Sequence, residues 1–449
     1  MGSGDRWHDA QRAAQILSVL LGRLVRGQWL RYSFFAGTNS VGEVGLALEA
    51  LMGRIPMNEG PAIQEYERRF AEIVGVQHAF SFATGRMGLY ALLEALDIGQ
   101  GDEVIIPAFT CVVVPNAILY RGARPVYVDI DPHSYNIDAA KIEAQIGPKT
   151  RAIIAQHTFG LVCDIEDIQA IARRHNLIVL EDCAHALGAR LGKHAAGSFG
   201  TAAFFSTDHT KVISTGTGGM VTTHDSGLAK ALESIYLQTP FLPDRKVRMG
   251  LAAFVSEIPL FHSRVCVLGK SLNLLLWRLG LHQGYFLDEL QMAKPTAYPY
   301  PARLSNVQAR IGLSQLASLS KNLAWRRNLA RQYEIEVGAH EGLLEVDYAN
   351  HAFLRYSFLV EDRKAWQGVL DNVMDPDVWF TSIAAGRDRN LEEIGYQPGS
   401  CPVAEYVAAH CVNLPTHLGV RPPERLIHQL HLACQRGSPA LRAPLPLTA

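Results

Sequence analysis

Four short apolar runs constrain the fold of this chain more than any other feature: Val104-Ile105-Ile106-Pro107, Pro125-Val126-Tyr127-Val128, Ala152-Ile153-Ile154-Ala155 and Leu177-Ile178-Val179-Leu180. None of them alternates apolar with polar residues. As strands they must be covered on both faces, which is the situation of a parallel sheet. Helical patterns precede them, at Ile63 to Ile73 and Gly88 to Leu96. The alternation starts near residue 60 and predicts a doubly wound α/β domain, whose ligands bind at the carboxyl ends of the strands. The fourth run leads straight into Glu181-Asp182, which places Asp182 at such an end.

With 449 residues the chain exceeds a single small core, and 48% hydrophobic with 19% charged residues is the composition of a folded globular protein. The helical stretch Gln308 to Glu336, with Trp325-Arg326-Arg327 in its middle, leads out of the large domain. The strand-like Leu354 to Val360 opens a smaller one. The expected division is an N-terminal helical segment, 1–59, a large domain, 60–320, carrying an apolar insertion at 236–300, and a small C-terminal α+β domain, 321–449. The Pro-rich tail from Gly437 is expected to be loose.

Two apolar segments stand apart from this scheme. Residues 13–36 are basic and amphipathic at helical spacing, which suits a helix packed on the body or on a second subunit. Residues 250–285 are apolar but broken by Glu257, Arg264, Lys270 and Arg278, so they are not a membrane span and read as an interface or an active-site cover. Peripheral contact with a membrane surface through either segment stays open. The 42 basic residues balance 43 acidic ones, which leaves no electrostatic footprint for nucleic acid. Seven scattered cysteines without a CxxC pair argue against a disulfide framework and against a zinc site. The first nine residues hold charges and no secretory apolar run, so a cytoplasmic location is expected.

The chemistry sits in two neighbouring segments. Lys211 precedes a glycine-rich turn, Thr215-Gly216-Thr217-Gly218-Gly219, and Asp182 lies 29 residues upstream of it. A lysine able to form a Schiff base and a carboxylate able to keep a pyridine nitrogen protonated are what pyridoxal 5′-phosphate requires of a protein. His185, three residues after Asp182, falls in the same turn, and Ser206, five before Lys211, offers a hydroxyl to a phosphate oxygen. The turn Thr84-Gly85-Arg86-Met87-Gly88 opens a helix, and N–H groups at a helix start point at anions. Taken singly, Asp182 reads as a strand-end cap, His185 as a structural histidine and Lys211 as a surface lysine.

The order of these elements resembles the DegT/DnrJ/EryC1/StrS family of sugar aminotransferases, over about residues 45–235 and 300–425. The resemblance is carried by Phe70-Ala71-Glu72-Ile73-Val74-Gly75-Val76, Gly101-Asp102-Glu103-Val104-Ile105-Ile106-Pro107-Ala108-Phe109-Thr110 and Val128-Asp129-Ile130-Asp131-Pro132. It continues through Glu181-Asp182-Cys183-Ala184-His185-Ala186-Leu187-Gly188, Thr210-Lys211, Gly216-Thr217-Gly218-Gly219-Met220, Arg303-Leu304-Ser305-Asn306-Val307-Gln308 and Asn413-Leu414-Pro415. It implies the type I, aspartate-aminotransferase fold: a large pyridoxal-phosphate domain with a mostly parallel, mixed sheet flanked by helices, and a small C-terminal α+β domain. It also implies that Lys211 holds the cofactor and shuttles a proton, that Asp182 pairs with the pyridinium nitrogen and that His185 lies near the ring hydroxyl. Ser206 and the turn at Gly85, Arg86 and Met87 would hold the phosphate. Glutamate would donate the amino group to a keto sugar, most simply a nucleotide-linked one, in a homodimer with a shared site.

The chain departs from the family at several points. Cys111 stands where many members place an aromatic ring over the cofactor, Arg86 where the phosphate turn usually has Ser or Thr, and Pro301 where an Asn commonly reaches the neighbouring subunit. The apolar insertion has no counterpart in shorter members. Rival readings are a sugar dehydratase or an aminobenzoate-type synthase of the same family, and a pyridoxal-phosphate-binding regulatory protein without turnover. Dehydratases typically have His at the position of Lys211.

Overall fold

The computed structural model describes residues 31–34, 37–269, 271–272, 293–337, 347–374 and 379–435, with Gly22 and Val25 besides. Its centre is a seven-stranded sheet in the order His78–Phe82, Gly219–Thr223, Ala202–Ser206, Ile178–Asp182, Thr150–Gln156, Glu103–Pro107, Arg124–Val128. Gly219–Thr223 runs antiparallel to both of its neighbours, and every other adjacent pair is parallel. The four apolar runs form four consecutive strands of this mixed sheet, as their lack of alternation requires. Val104, Ile106, Ile154 and Leu180 enter a core on one face, while Ile105, Ile153 and Val179 enter a core on the other. Full burial of an aliphatic side chain contributes roughly 1.5–3 kcal/mol, so a strand apolar on both sides is stable only where helices cover both.

The helices on the two faces are written in residue spacing. In Ala62–Val74 the buried residues Ile63, Tyr66, Phe70 and Val74 recur at helical intervals. The opposite face carries Glu65 with Arg68 and Arg69, at 2.6 and 3.0 Å. Gly75 ends the helix in the left-handed region, at φ 81°. Gly85–Ala95 starts three residues earlier than its apolar pattern suggests, because Thr84 caps it: the Met87 N–H donates to Thr84 Oγ1 at 3.3 Å. The glycines of the turn are therefore the first turn of the helix.

The stretch Gln308 to Glu336 forms two helices, Asn306–Ala317 and Leu319–Val337, meeting at Ser318. Ser305 and Gln308 close a capping box on the first. Arg326, on the second, is fully buried and donates to Asn322 Oδ1, Thr416 Oγ1, Thr38 Oγ1 and the carbonyls of Phe353 and Leu354. It ties three distant stretches of chain together. Beyond it, Arg355–Leu359 pairs antiparallel with Cys411–Pro415, and the helices Arg363–Leu370 and Glu424–Gln435 pack nearby around Trp366, Leu370, Leu414 and Leu426.

Tyr32 and Phe34 complete that C-terminal core. Residues 31–34, the end of the expected amphipathic helix, are not helical: Tyr32 bridges Met374, and Arg31 donates to Met374 O at 2.6 Å. The N-terminal segment is thus bound into the body, with Val41–Leu51 packed against Asp244–Leu260. The rest of 13–36, apart from Gly22 and Val25, lies outside the described residues. Within 250–285, the part up to Leu260 belongs to a body helix whose Val247, Leu251 and Phe254 are buried. Residues 273–292 and the tail after Gln435 lie outside the described residues. Among the described residues no helix is long and apolar enough to cross a membrane.

Candidate active site

Because the strands Thr150–Gln156, Ile178–Asp182 and Ala202–Ser206 are mutually parallel, Gln156, Asp182 and Ser206 end at one edge of the sheet. A cavity of about 310 Å³ opens there. Lys211, Asp182, His185, Ser206, Gly85, Arg86 and Cys111 all line it. Met87 does not: its side chain is buried in the core, and its N–H is taken by Thr84.

Asp182 is 5% exposed, and Oδ1 accepts the Ala184 N–H at 2.9 Å. Burial pushes its pKa above the ordinary carboxylate value, opposed by that hydrogen bond and by Lys211. The carboxylate therefore seeks a cation in the cavity. A rigid polar layer lies behind it. Neighbouring Glu181 accepts N–H groups of Gly197, Phe199 and Gly200 at 2.6–2.7 Å and meets His157 Nε2 at 2.9 Å, with no side-chain exposure on either partner. Cys183 Sγ lies within 4.8 Å of the same group. This carboxylate already has four partners, which accounts for the cluster as a buttress of the strand end.

His185 is fixed on both sides. Its Nδ1 accepts the Phe159 N–H at 3.3 Å, so the ring proton belongs on Nε2. Burial, then the charges of Lys211 and Arg355, hold its pKa well below the usual histidine value, and the ring is neutral. It is a donor aimed from a stack of rings: Phe159 at 5.8 Å, Trp379 at 5.6 Å and Phe380 at 6.0 Å between centroids.

Lys211 sits on a loop that folds back on itself. The N–H groups of Thr207 and Thr215 donate to Gly218 O and Thr207 O, both at 2.9 Å, and Gln308 Nε2 donates to Thr217 O at 2.6 Å. A Cβ at Gly218 would lie 2.3 Å from Thr207 Oγ1, so this return needs glycine. Burial lowers the Lys211 pKa, helped by Arg355 and opposed by Cys111, Asp208 and Asp182. A larger neutral fraction makes the amine a better nucleophile. Nζ rests 4.6 Å from the centroid of Trp379.

The third corner is an anion cradle. A Cβ at Gly85 would lie 2.9 Å from Phe205 O and 3.1 Å from Ser206 Cβ, and one at Gly219 would fall 2.4 Å from Gly85 N. Only glycines let this helix start press against the strand ends. The cradle thus combines helix N–H groups, the Ser206 hydroxyl and the Arg86 guanidinium. Asp208 and His209 lie beside it. Burial opposes charge on both, yet their contact prevails: it drives Asp208 down and raises His209 to about 9. Glu257, on Asp244–Leu260, is pushed up to about 7 by burial, with His209 opposing.

Sequence reasoning missed Gln156, Asp208, His209, Trp379 and Phe380. Asp208 and His209 were legible by adjacency to Lys211. Trp379 and Phe380 arrive from the far end of the chain and carry no motif.

A lysine of lowered basicity, a buried carboxylate, a neutral histidine donor and a glycine-lined helix start lie together on the carboxyl edge of this mixed sheet, and these are groups that could hold pyridoxal phosphate. The residues fit that group: the cradle suits its phosphate and Asp182 its ring nitrogen. The chain belongs to the DegT/DnrJ/EryC1/StrS aminotransferase family, whose model matches residues 42–246 and 280–429. Its cofactor is that of the family, pyridoxal 5′-phosphate. It is 36% identical over 275 residues to a GDP-perosamine synthase of Caulobacter vibrioides, covering 61% of this chain and 62% of that protein. It is 44% identical over 179 residues to a UDP-N-acetyl-3-dehydro-alpha-D-glucosamine 3-aminotransferase of Acidithiobacillus ferrooxidans, covering 40% and 48%. A crystal structure of NtdA from Bacillus subtilis, with bound cofactor PMP, shares the fold at TM-score 0.66 and 21% identity, covering 88% of this chain and 82% of that one.

Proposed function

We propose that this protein is a homodimeric, cytoplasmic aminotransferase that moves an amino group, with glutamate as donor, onto the ketone of a nucleotide-linked sugar. One observation carries the reading: a single cavity gathers Lys211, Asp182, His185, Ser206 and the Gly85 turn from three separate stretches of chain. The relatives that act on GDP- and UDP-linked sugars support the acceptor class. Lys211 in place of the dehydratase histidine supports amino transfer over dehydration.

Pyridoxal phosphate, when bound, carries the amino group and withdraws electrons from the reacting carbon. The chain does the rest. Lys211 anchors the cofactor and, when released from it, moves the proton at the reacting carbon through Nζ. Asp182, almost fully buried, would hold a positive charge on the ring nitrogen. His185, with its proton on Nε2, donates to the ring hydroxyl. Ser206, Arg86 and the first N–H groups of Gly85–Ala95 hold the phosphate. The large cofactor-binding part, about 60–320, supplies these groups, and the small part, 321–449, closes over them with Trp379 and Phe380.

The test is a single turnover. Protein loaded with the pyridoxamine form is mixed with GDP- and UDP-linked keto sugars, and the return of the pyridoxal form is followed together with the mass of the sugar product. Transfer to at least one nucleotide-linked ketone supports the reading. Reaction with free keto acids alone would remove the sugar acceptor.

A further inference from the structure

Position 111, which resembles the ring-bearing position of the family, offers only a thiol. The cavity nevertheless has an aromatic wall. Trp379 lines it, together with Phe380, from the far end of the chain. We propose that Trp379 is a cofactor-contacting residue, supplying the flat aromatic surface that position 111 does not. The proposal rests on the pyridoxal-phosphate reading of this cavity.

Three independent restraints hold the indole where it stands. The Trp379 N–H of the backbone donates to Asn413 Oδ1 at 2.6 Å, anchoring the residue to the strand Cys411–Pro415. Its ring is 25° from parallel with His185 and 14° from parallel with Phe380. The guanidinium of Arg355, a residue only 2% exposed, lies 4.1 Å from its centroid. The wall is therefore built before any ligand arrives, which removes the ordering cost of making it afterwards.

What the wall can hold follows from its partners. Among the described residues Lys211 Nζ lies 4.6 Å from the Trp379 centroid. A buried ammonium on an indole face is stabilised by the ring quadrupole, and the same face stacks with a flat heteroaromatic ring. In this structure the Lys211 ammonium lies on this face, and a cofactor ring stacking there would take its place. Arg355 has a positioning role here: it lies against the indole and contributes repulsion that keeps Lys211 less basic. Cys111, whose Sγ lies 3.6 Å from Ala385 O, presents no ring with which Trp379 would compete.

The experiment compares wild type, Trp379→Phe and Trp379→Leu as apoproteins titrated with pyridoxal phosphate. Readouts are cofactor affinity, induced circular dichroism of the visible cofactor band and quenching of tryptophan emission. Ring stacking is worth about tenfold in affinity. Trp379→Leu is expected to lose about that much and most of the induced dichroism, while Trp379→Phe keeps both. Trp379→Phe is also expected to lose a share of the cofactor-dependent quenching, because the tryptophan that lines the cavity is gone. That readout decides the matter even if the Leu variant does not fold. Unchanged quenching in Trp379→Phe, or a folded Leu variant with wild-type affinity and dichroism, overturns the proposal and leaves the cofactor reading intact. Wild-type protein without a Lys211-dependent band overturns the cofactor reading itself.

Discussion

The Phe159 backbone N–H donates to His185 Nδ1 at 3.3 Å, while the two rings lie 3° from parallel with centroids 5.8 Å apart. One contact sets the tautomer and the other sets the plane. Both are made by the chain alone, so the donor at Nε2 is prepared before any ligand enters. Leucine at 185 keeps bulk and loses the donor. His185→Leu is expected to lower kcat/KM by roughly tenfold to a hundredfold, on the scale of losing a hydrogen bond that orients a metal ligand. His185→Gln restores a donor and should recover part of the loss. The pH profile of kcat/KM should show no step that disappears in His185→Gln, because the imidazole is already neutral.

The cradle makes a steric prediction. Gly85→Ala places a methyl 2.9 Å from Phe205 O, a backbone atom that cannot swing away. Overpacking of this kind costs about 1–3 kcal/mol. The variant should melt lower and bind pyridoxal phosphate more weakly. By contrast, Gly250→Ala, with no atom within 4 Å of its Cβ, should do neither.

Arg326 makes a prediction about stability alone. Its guanidinium serves five acceptors in the interior, and burial lowers its pKa to about 9. Arg326→Met removes a donor from each of them, leaving the Phe353 and Leu354 carbonyls only the Thr416 hydroxyl. Each buried group left unsatisfied costs about 1–3 kcal/mol, so denaturant titration should show a loss of several kcal/mol. The Lys211-dependent spectrum of whatever remains folded should be unchanged.

Glu257 and His209 fix the sign of a pH effect. Glu257 is about 7 in the folded chain and near 4.5 unfolded, so the folded state holds its proton longer. That contribution is complete below the unfolded value and is lost as pH rises through about 7. His209 follows the same sign over a higher window, from 6.5 to about 9. Glu257→Gln cannot ionise. Its stability relative to wild type should therefore grow in its favour from about pH 5 to pH 8, as read by melting temperature across that range. A constant difference would mean that Glu257 is already ionised at the lower end.

The strands were legible because burial on two faces leaves a sequence with no alternation, and Val104-Ile105-Ile106 or Ile178-Val179-Leu180 show it plainly. Asp182 and Ser206 followed, since strand ends are where a parallel sheet binds ligands. The helix of the Gly85 turn was placed three residues late because its first turn is glycine and arginine, held by the Thr84 cap and not by apolar spacing. Trp379 and Arg355 were out of reach for a different reason. Trp379 meets Lys211 and His185 only through contacts between stretches far apart in the chain, and Arg355 reaches the site by lying against Trp379; no local pattern encodes such a meeting. The end of the N-terminal segment failed likewise: Arg31 and Tyr32 take an extended form because Asp371, which accepts from Arg31, and Met374, which bridges Tyr32, offer partners that the local sequence does not show.

The central claim is that Lys211 is the residue that binds pyridoxal phosphate covalently. Borohydride reduction of the reconstituted protein, followed by digestion and mass spectrometry of the peptides, tests it most directly. The expected result is one phosphopyridoxyl group on the peptide containing Lys211, and none on the reduced Lys211→Ala protein. A label on a different lysine, or equal labelling of the two proteins, would contradict it.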